Sequence, residues 1–333
     1  MEKEKWLDNM RAIACILVAF GHLFNGSIEI YSLNKDLFMM LNSLLYKIHV
    51  PIFFFCSGYL LQNHFRGLKR DSYISYTVKK IINLGIPYVV FCLLTYVVKI
   101  IFPTAVNSQI NKGIFESLFV LPPNQMWFLF VLIVCFIITP IGIKSTIHAI
   151  GLEIISFLMY LSYKTIGNND LVYYKILYFY IWFVLGMIIN YFGIAKRKFS
   201  KEWILCFVFF AFFITDYFYS YLGVFEFIIT FVGNIWIMFL CRNLLKDKNS
   251  KILEYISKYM LQIYLLHTIF AVAIRVVLRR ISIYNGYIHL VVGLIGCIGL
   301  SILVAFICEK LVYPNFVFYP IKTIKQIKEK WRK

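Results

Sequence analysis

The sequence predicts an all-α integral membrane protein: a bundle of about ten transmembrane helices with the N-terminus and C-terminus both cytoplasmic. Three observations carry this. Of 333 residues, 61% are hydrophobic and 15% charged, against roughly 45 to 50% and about 25% in ordinary globular chains. Ten stretches approach the roughly 20 mainly apolar residues that a spanning helix needs, at 9–28, 37–62, 82–102, 127–143, 147–165, 174–192, 203–221, 223–241, 259–278 and 288–313. With the N-terminus inside, most of the 34 lysines and arginines fall in segments on one side: near Lys3 to Arg11, at 66–80, at Lys144, at 196–201, at 242–258 and from Lys310 on. The net charge of +18 is therefore a record of topology. It predicts a lipid bilayer as partner and no nucleic acid.

The first span carries the strongest functional signal. Arg11 and His22 are eleven steps apart, three helical turns plus roughly 20°, so both point the same way about 16.5 Å apart. Asp8 lies on the same stripe, three residues before Arg11. An arginine within a membrane helix costs roughly 2.5 to 3.5 kcal/mol, so such residues face a bundle interior or a wet cavity. A neutral imidazole at His22 can take a proton from an attacking hydroxyl, and Arg11 can hold an anionic donor. A buried histidine that only joins helices is the alternative. Lys3 and Lys5 precede an apolar core with no A-x-A-like cleavage site, so this span reads as an uncleaved helix.

In the second span, Pro51 should break or kink the helix, and Ser57-Gly58 removes bulk one to two turns later. That pair allows either close helix packing or a passage for substrate. Lys79 and Lys80 stand at the mouth of the third span, where they can attract a phosphate-bearing donor or simply follow the positive-inside bias. The outer loop of 103–126, with Pro103, Asn107, Pro122, Pro123 and Asn124, reads as irregular with room for one short interfacial helix. Trp127 opens the fourth span, which is short and has Pro140 near its end; an aromatic-belt position accounts for the tryptophan.

The ninth span places Tyr264 and His267 on one face, at i and i+3. In the last span Gly293, Gly296 and Gly299 recur every three residues, a pattern of close helix approach. Glu309 follows, able to orient a histidine or to pair with Lys310 or Arg11. Residues 1–320 read as one membrane domain, and 321–333 as a basic cytoplasmic tail of amphipathic character. All eight cysteines lie in apolar spans without C-x-x-C spacing, and no H-E-x-x-H occurs, so neither disulfides nor a metal is expected.

Taken in order, these segments resemble the bacterial membrane acyltransferase-3 family, the integral O-acyltransferases of surface polysaccharides. The matching residues are Leu7-Asp8-Asn9-Met10-Arg11 with His22, then Val50-Pro51-Ile52-Phe53-Phe54-Phe55-Cys56-Ser57-Gly58-Tyr59. Lys79-Lys80 to Pro87, Trp127-Phe128-Leu129, Tyr264-Leu265-Leu266-His267 and Glu309 to Pro314 follow. The resemblance implies acetyl-CoA or another acyl-CoA as co-substrate and a cell-surface or lipid-linked saccharide as acceptor. It implies His22 as general base, Arg11 as donor-positioning or charge-stabilising group, and Glu309 as assistant to a histidine. Asp8, Ser57, Lys79, Lys80, Trp127, Tyr264 and His267 are the implied donor- or substrate-binding positions. Lysines stand where the family often has arginines, which weakens bidentate phosphate binding there. Some relatives carry an extra soluble domain after the last helix; here any second transfer step calls for a separate extracytoplasmic partner. A transporter or flippase for a saccharide or lipid-linked saccharide is the alternative, and it predicts repeat symmetry and paired broken helices.

Overall fold

A computed structural model describes residues 4–26, 35–65, 70–101, 113–139, 142–166, 171–219, 223–245 and 250–331. The described residues form fourteen α-helices and no strand. In chain order these are α1 (Lys5–Asn25), α2 (Lys35–Phe65), α3 (Arg70–Ile101), α4 (Ile114–Phe119), α5 (Trp127–Ile138), α6 (Thr146–Ile166) and α7 (Val172–Tyr191). Then come α8 (Glu202–Tyr219), α9 (Gly223–Leu244), α10 (Lys251–Lys258), α11 (Met260–Arg280), α12 (Gly286–Lys310), α13 (Val312–Phe318) and α14 (Pro320–Trp331). The protein is thus an all-α membrane protein, and each of the ten expected spans coincides with a helix.

Eight of those helices are long and apolar enough to cross a bilayer: α1, α2, α3, α6, α7, α9, α11 and α12. The other two, α5 with 12 residues and α8 with 18, are shorter. The sequence reading carried the fourth span to residue 143, but α5 stops at Ile138. Thr139 leaves helical geometry there and turns its hydroxyl back onto the Cys135 carbonyl at 2.7 Å. Beyond it, buried Gln62 grips Ile143 through both backbone groups, donating to its carbonyl at 3.0 Å and accepting from its amide at 2.8 Å. Pro140, Pro103, Asn107 and the connections 66–69 and 246–249 lie outside the described residues.

Pro51 does not break α2, which runs helical from Lys35 to Phe65. A proline removes one donor and crowds the carbonyl four residues back; the close packing of 52–56, all buried, holds the helix through it. Pro87 is likewise inside α3, which begins at Arg70, so Lys79 and Lys80 stand on a helix rather than ahead of one.

The chain divides into two compact units, Met1–Ser57 with Phe192–Phe306, and Gly58–Tyr191 with Ile307–Lys333. In the first, α1 packs against α9, α10 and α11. One end of this contact is an apolar cluster of Ala19, Leu23, Phe24, Phe38, Ala271, Leu290 and Cys297, drawn from α1, α2, α11 and α12. The glycine pattern of α12 belongs here. A side chain at Gly293 would meet Leu23 at 2.7 Å and one at Gly296 would meet Ile274 at 2.5 Å, whereas Gly299 has nothing within 4 Å. Two of the three glycines thus serve close approach.

In the second unit, α6 packs on α7 and α5 on both α3 and α7. Gly58 abuts the backbone carbonyl of Phe183, so no larger residue fits at that position without moving main chain. Asn190 of α7 donates to the Tyr59 carbonyl at 3.1 Å beside it. The short α4 lies within the segment 103–126, where a short helix was expected. After α12 ends at Lys310, Leu311 is extended, and Tyr313-Pro314 fall inside α13. Pro320 opens α14 at the position where its missing N–H costs nothing. The Ile321 amide donates to Asn83 of α3 at 3.4 Å, tying the basic tail to this unit.

Candidate active site

The first helix is amphipathic in an unusual sense. Its N-terminal end holds an ion pair, Arg11 to Asp8 at 3.4 Å, with both side chains about three-quarters buried, at 26% and 21% exposure. Ser257, at the end of α10, donates its hydroxyl to the same Asp8 oxygen at 3.2 Å. The short α10 is held in place by Ser250, whose side chain accepts from the Leu253 amide. Asn9 donates to the Leu245 carbonyl at 3.1 Å, which fixes the C-terminal end of α9 against the N-terminal end of α1. No local spacing in the sequence reveals the contact of Ser257 with Asp8, 249 positions away.

Two turns along the same stripe from Cys15, His22 sits half-buried with its ring 5.2 Å from the ring of His267, tilted by 50°. His267 is 1% exposed. Its Nδ1 lies 2.8 Å from the Ile263 carbonyl, and a carbonyl only accepts, so in the neutral ring the proton is on Nδ1 and Nε2 carries the lone pair. That Nε2 has no hydrogen-bond partner among the described residues. Tyr264 is 6.3 Å from His267, ring to ring. The structure therefore brings together Asp8, Arg11 and Ser257 at one end of α1, and His22, His267 and Tyr264 further along it.

Several polar residues near this second group carried no role in the sequence reading. Asn25 donates to the Tyr46 hydroxyl at 2.8 Å, and Tyr46 stands edge-on to His49 at 4.8 Å. Lys47 pairs with Asp216 of α8, both about 15% exposed, and leans over Phe213 at 5.8 Å. A visible signal existed: a lysine and an aspartate each set within an apolar stretch are costly unless paired.

The remaining predicted positions have these surroundings. Ser57 is half-buried on α2, next to Cys56. In the second unit, Lys79 is exposed and Lys80 is half-buried with its ammonium 5.4 Å from the Tyr76 ring. Tyr76 in turn stacks on His64 at 3.9 Å. Trp127 lies under the ammonium of Lys175 at 4.6 Å and against Phe179 at 5.2 Å, a cation–aromatic arrangement in addition to any belt position. Glu309 receives Lys322 of α14 at 3.4 Å. Among the described residues, no group of three or more His, Cys, Asp or Glu side chains is arranged to hold a metal ion.

Comparison with known families adds the deciding observation. The family model described as an acyltransferase domain matches residues 4–309, nearly the whole chain. The chain belongs to the acyltransferase-3 family. Searches of curated proteins and of solved structures returned no match. As an acyltransferase the protein requires an acyl donor and an acceptor, and the Asp8–Arg11–Ser257 group and the His22–His267 pair both lie within the matched acyltransferase region.

Proposed function

We propose that this acyltransferase sits in the bacterial cytoplasmic membrane with both termini inside and moves an acyl group, acetyl above all, from cytoplasmic acyl-CoA to a hydroxyl of a cell-envelope saccharide. The observation that carries the reading is the pairing on one helix of a cation held by a carboxylate with a histidine that faces a second histidine. These are the two things an acyl transfer from a charged thioester needs: a grip on the anionic donor and a base for the hydroxyl.

In this reading Arg11, oriented by Asp8 and Ser257, holds the anionic part of the donor. His22 takes the proton of the acceptor hydroxyl as its oxygen attacks the thioester carbonyl. The C–O ester bond forms, the C–S bond breaks, and the thiolate of coenzyme A leaves and takes up a proton. General-base help of this kind is worth about 10² to 10⁴ in rate. His267 presents a lone pair beside His22, and Tyr264 lines the same side. Lys79 and Lys80 attract the phosphates of the donor, and Ser57 and Trp127 contribute to substrate binding. Glu309 assists a histidine only in a state in which it gives up Lys322.

The test is to incubate inverted membrane vesicles with [14C]acetyl-CoA and to count label released by mild base from the envelope saccharide fraction. Label that depends on the gene supports the reading. Equal label with and without the gene contradicts it.

A further inference from the structure

The helices around His22 present an unusual set of polar atoms. The Asn9 to Leu245 bond sets α1 and α9 antiparallel. His22 is thirteen residues beyond Asn9, about 19.5 Å along the helix, and the same distance back from Leu245 reaches Val232, between Thr230 and Asn234. On α2, antiparallel to α1 through Asn25 and Tyr46, three residues inward from that bond bring His49 to the depth of His22. A second set of contacts agrees: Cys56 of α2 lies within electrostatic reach of Arg11 and of Cys241 of α9. Two turns outward from Cys56 is His49, and two turns outward from Cys241 is Asn234. Cys15 of α1, also within reach of Arg11, is two turns from His22. Residues seven apart share a face, so the count puts His22, His49 and Asn234 at one depth, with His267 against His22.

Thr230 and Asn234 are both 0% exposed. The Asn234 amide nitrogen is spent on the Thr230 carbonyl of its own helix at 2.8 Å, which fixes the amide orientation and leaves Oδ1 as a pure acceptor. Neither Asn234 Oδ1 nor Thr230 Oγ1 has a hydrogen-bond partner among the described residues. His49 and His267 repeat the device: each gives its Nδ1–H to the carbonyl four residues back, Leu45 or Ile263, and keeps a lone pair on Nε2. Each of these three side chains gives an N–H to its own helix and keeps an acceptor free, while the second Asn234 N–H and the Thr230 hydroxyl remain as donors. Free acceptors beside free neutral donors suit hydroxyl groups, which both donate and accept, whereas a phosphate or carboxylate would give up its hydration there with no cation of this set to pair it.

We infer that Asn234 and Thr230 of α9, with His49 of α2, bind the acceptor beside His22 and select an uncharged, hydroxyl-rich molecule. This rests on the acyl-transfer reading above and names its acceptor-binding residues. The anionic part of the donor is kept to the Arg11 end, about three turns away.

A deletion strain is complemented with wild type, Asn234→Leu, Asn234→Asp or His22→Ala. Gel filtration in detergent confirms equal amounts of monodisperse protein. The readouts are base-labile acetyl on the envelope saccharide and its position on the sugar by NMR. Asn234→Leu is expected to lower the ester at least tenfold and to spread the remainder over more than one hydroxyl. Asn234→Asp, which when protonated reproduces both hydrogen bonds, is expected within threefold of wild type. A wild-type amount and position in Asn234→Leu, or an equal defect in the Leu and Asp variants, overturns the assignment. Ester lost with His22→Ala but kept with Asn234→Leu rejects Asn234 alone. Ester kept in both rejects His22 as the base, and ester kept in the uncomplemented deletion strain rejects acyl transfer itself; either result removes the assignment.

Discussion

Arg11 touches Asp8, and Asp8 also receives Ser257; that three-residue contact is where single substitutions read most clearly. Replacing Ser257 by alanine removes a hydrogen bond to a charged group, an interaction worth about 1.5 to 3 kcal/mol. The expected result is a several-fold rise in KM for acyl-CoA with kcat little changed, measured in membrane vesicles. Arg11→Lys keeps the charge but loses the planar fork that Asp8 orients, and is expected to cost tenfold or more in kcat/KM for the donor. Of this site, the stripe of Asp8, Arg11 and His22 was legible in the sequence because helical periodicity alone aligns them. Ser257 and His49 were not, because their roles depend on contacts between segments far apart in the chain, which periodicity does not encode. Glu309 shows the same limit from the other side: its place in an apolar helix was visible, its bond to Lys322 was not.

At the scale of the helix, small residues and buried amides decide which substitutions the fold tolerates. A methyl group at Gly58 collides with the Phe183 main chain, whereas one at Gly299 meets nothing within 4 Å. Overpacking typically costs 1 to 3 kcal/mol, roughly, so Gly58→Ala is expected to lower the melting midpoint in detergent by several degrees and Gly299→Ala to leave it unchanged. Gln62→Leu removes both buried bonds to Ile143, each costing about 1 to 3 kcal/mol when a partner is left unmade, and is expected to destabilise more than Gly58→Ala. Spans were legible because hydropathy runs are long relative to their errors. Their ends were less so: α5 stops where Thr139 and Gln62 engage the backbone, a matter of specific hydrogen bonds rather than of composition. The proline in α2 was read as a break or a kink; the helix runs continuously through it.

For the whole molecule, the account joins a family, a membrane fold and an orientation. The proposed orientation, with the C-terminal tail inside, rests on the basic segments, including α14 with its four lysines. A cysteine placed at Lys330, exposed on α14, is expected to react with a membrane-impermeant maleimide in inverted vesicles and not in intact cells; the reverse pattern contradicts the orientation. The reaction class was legible because the motifs run in order along almost the full chain, and the acyltransferase match over residues 4–309 agrees. The central claim is that His22 is the base for acyl transfer, and the most direct test is base-labile acetate on purified surface polysaccharide. Three strains are compared: wild type, deletion, and deletion complemented with His22→Ala at normal protein level. The account predicts acetate in the first and none in the other two; acetate restored by His22→Ala would contradict it.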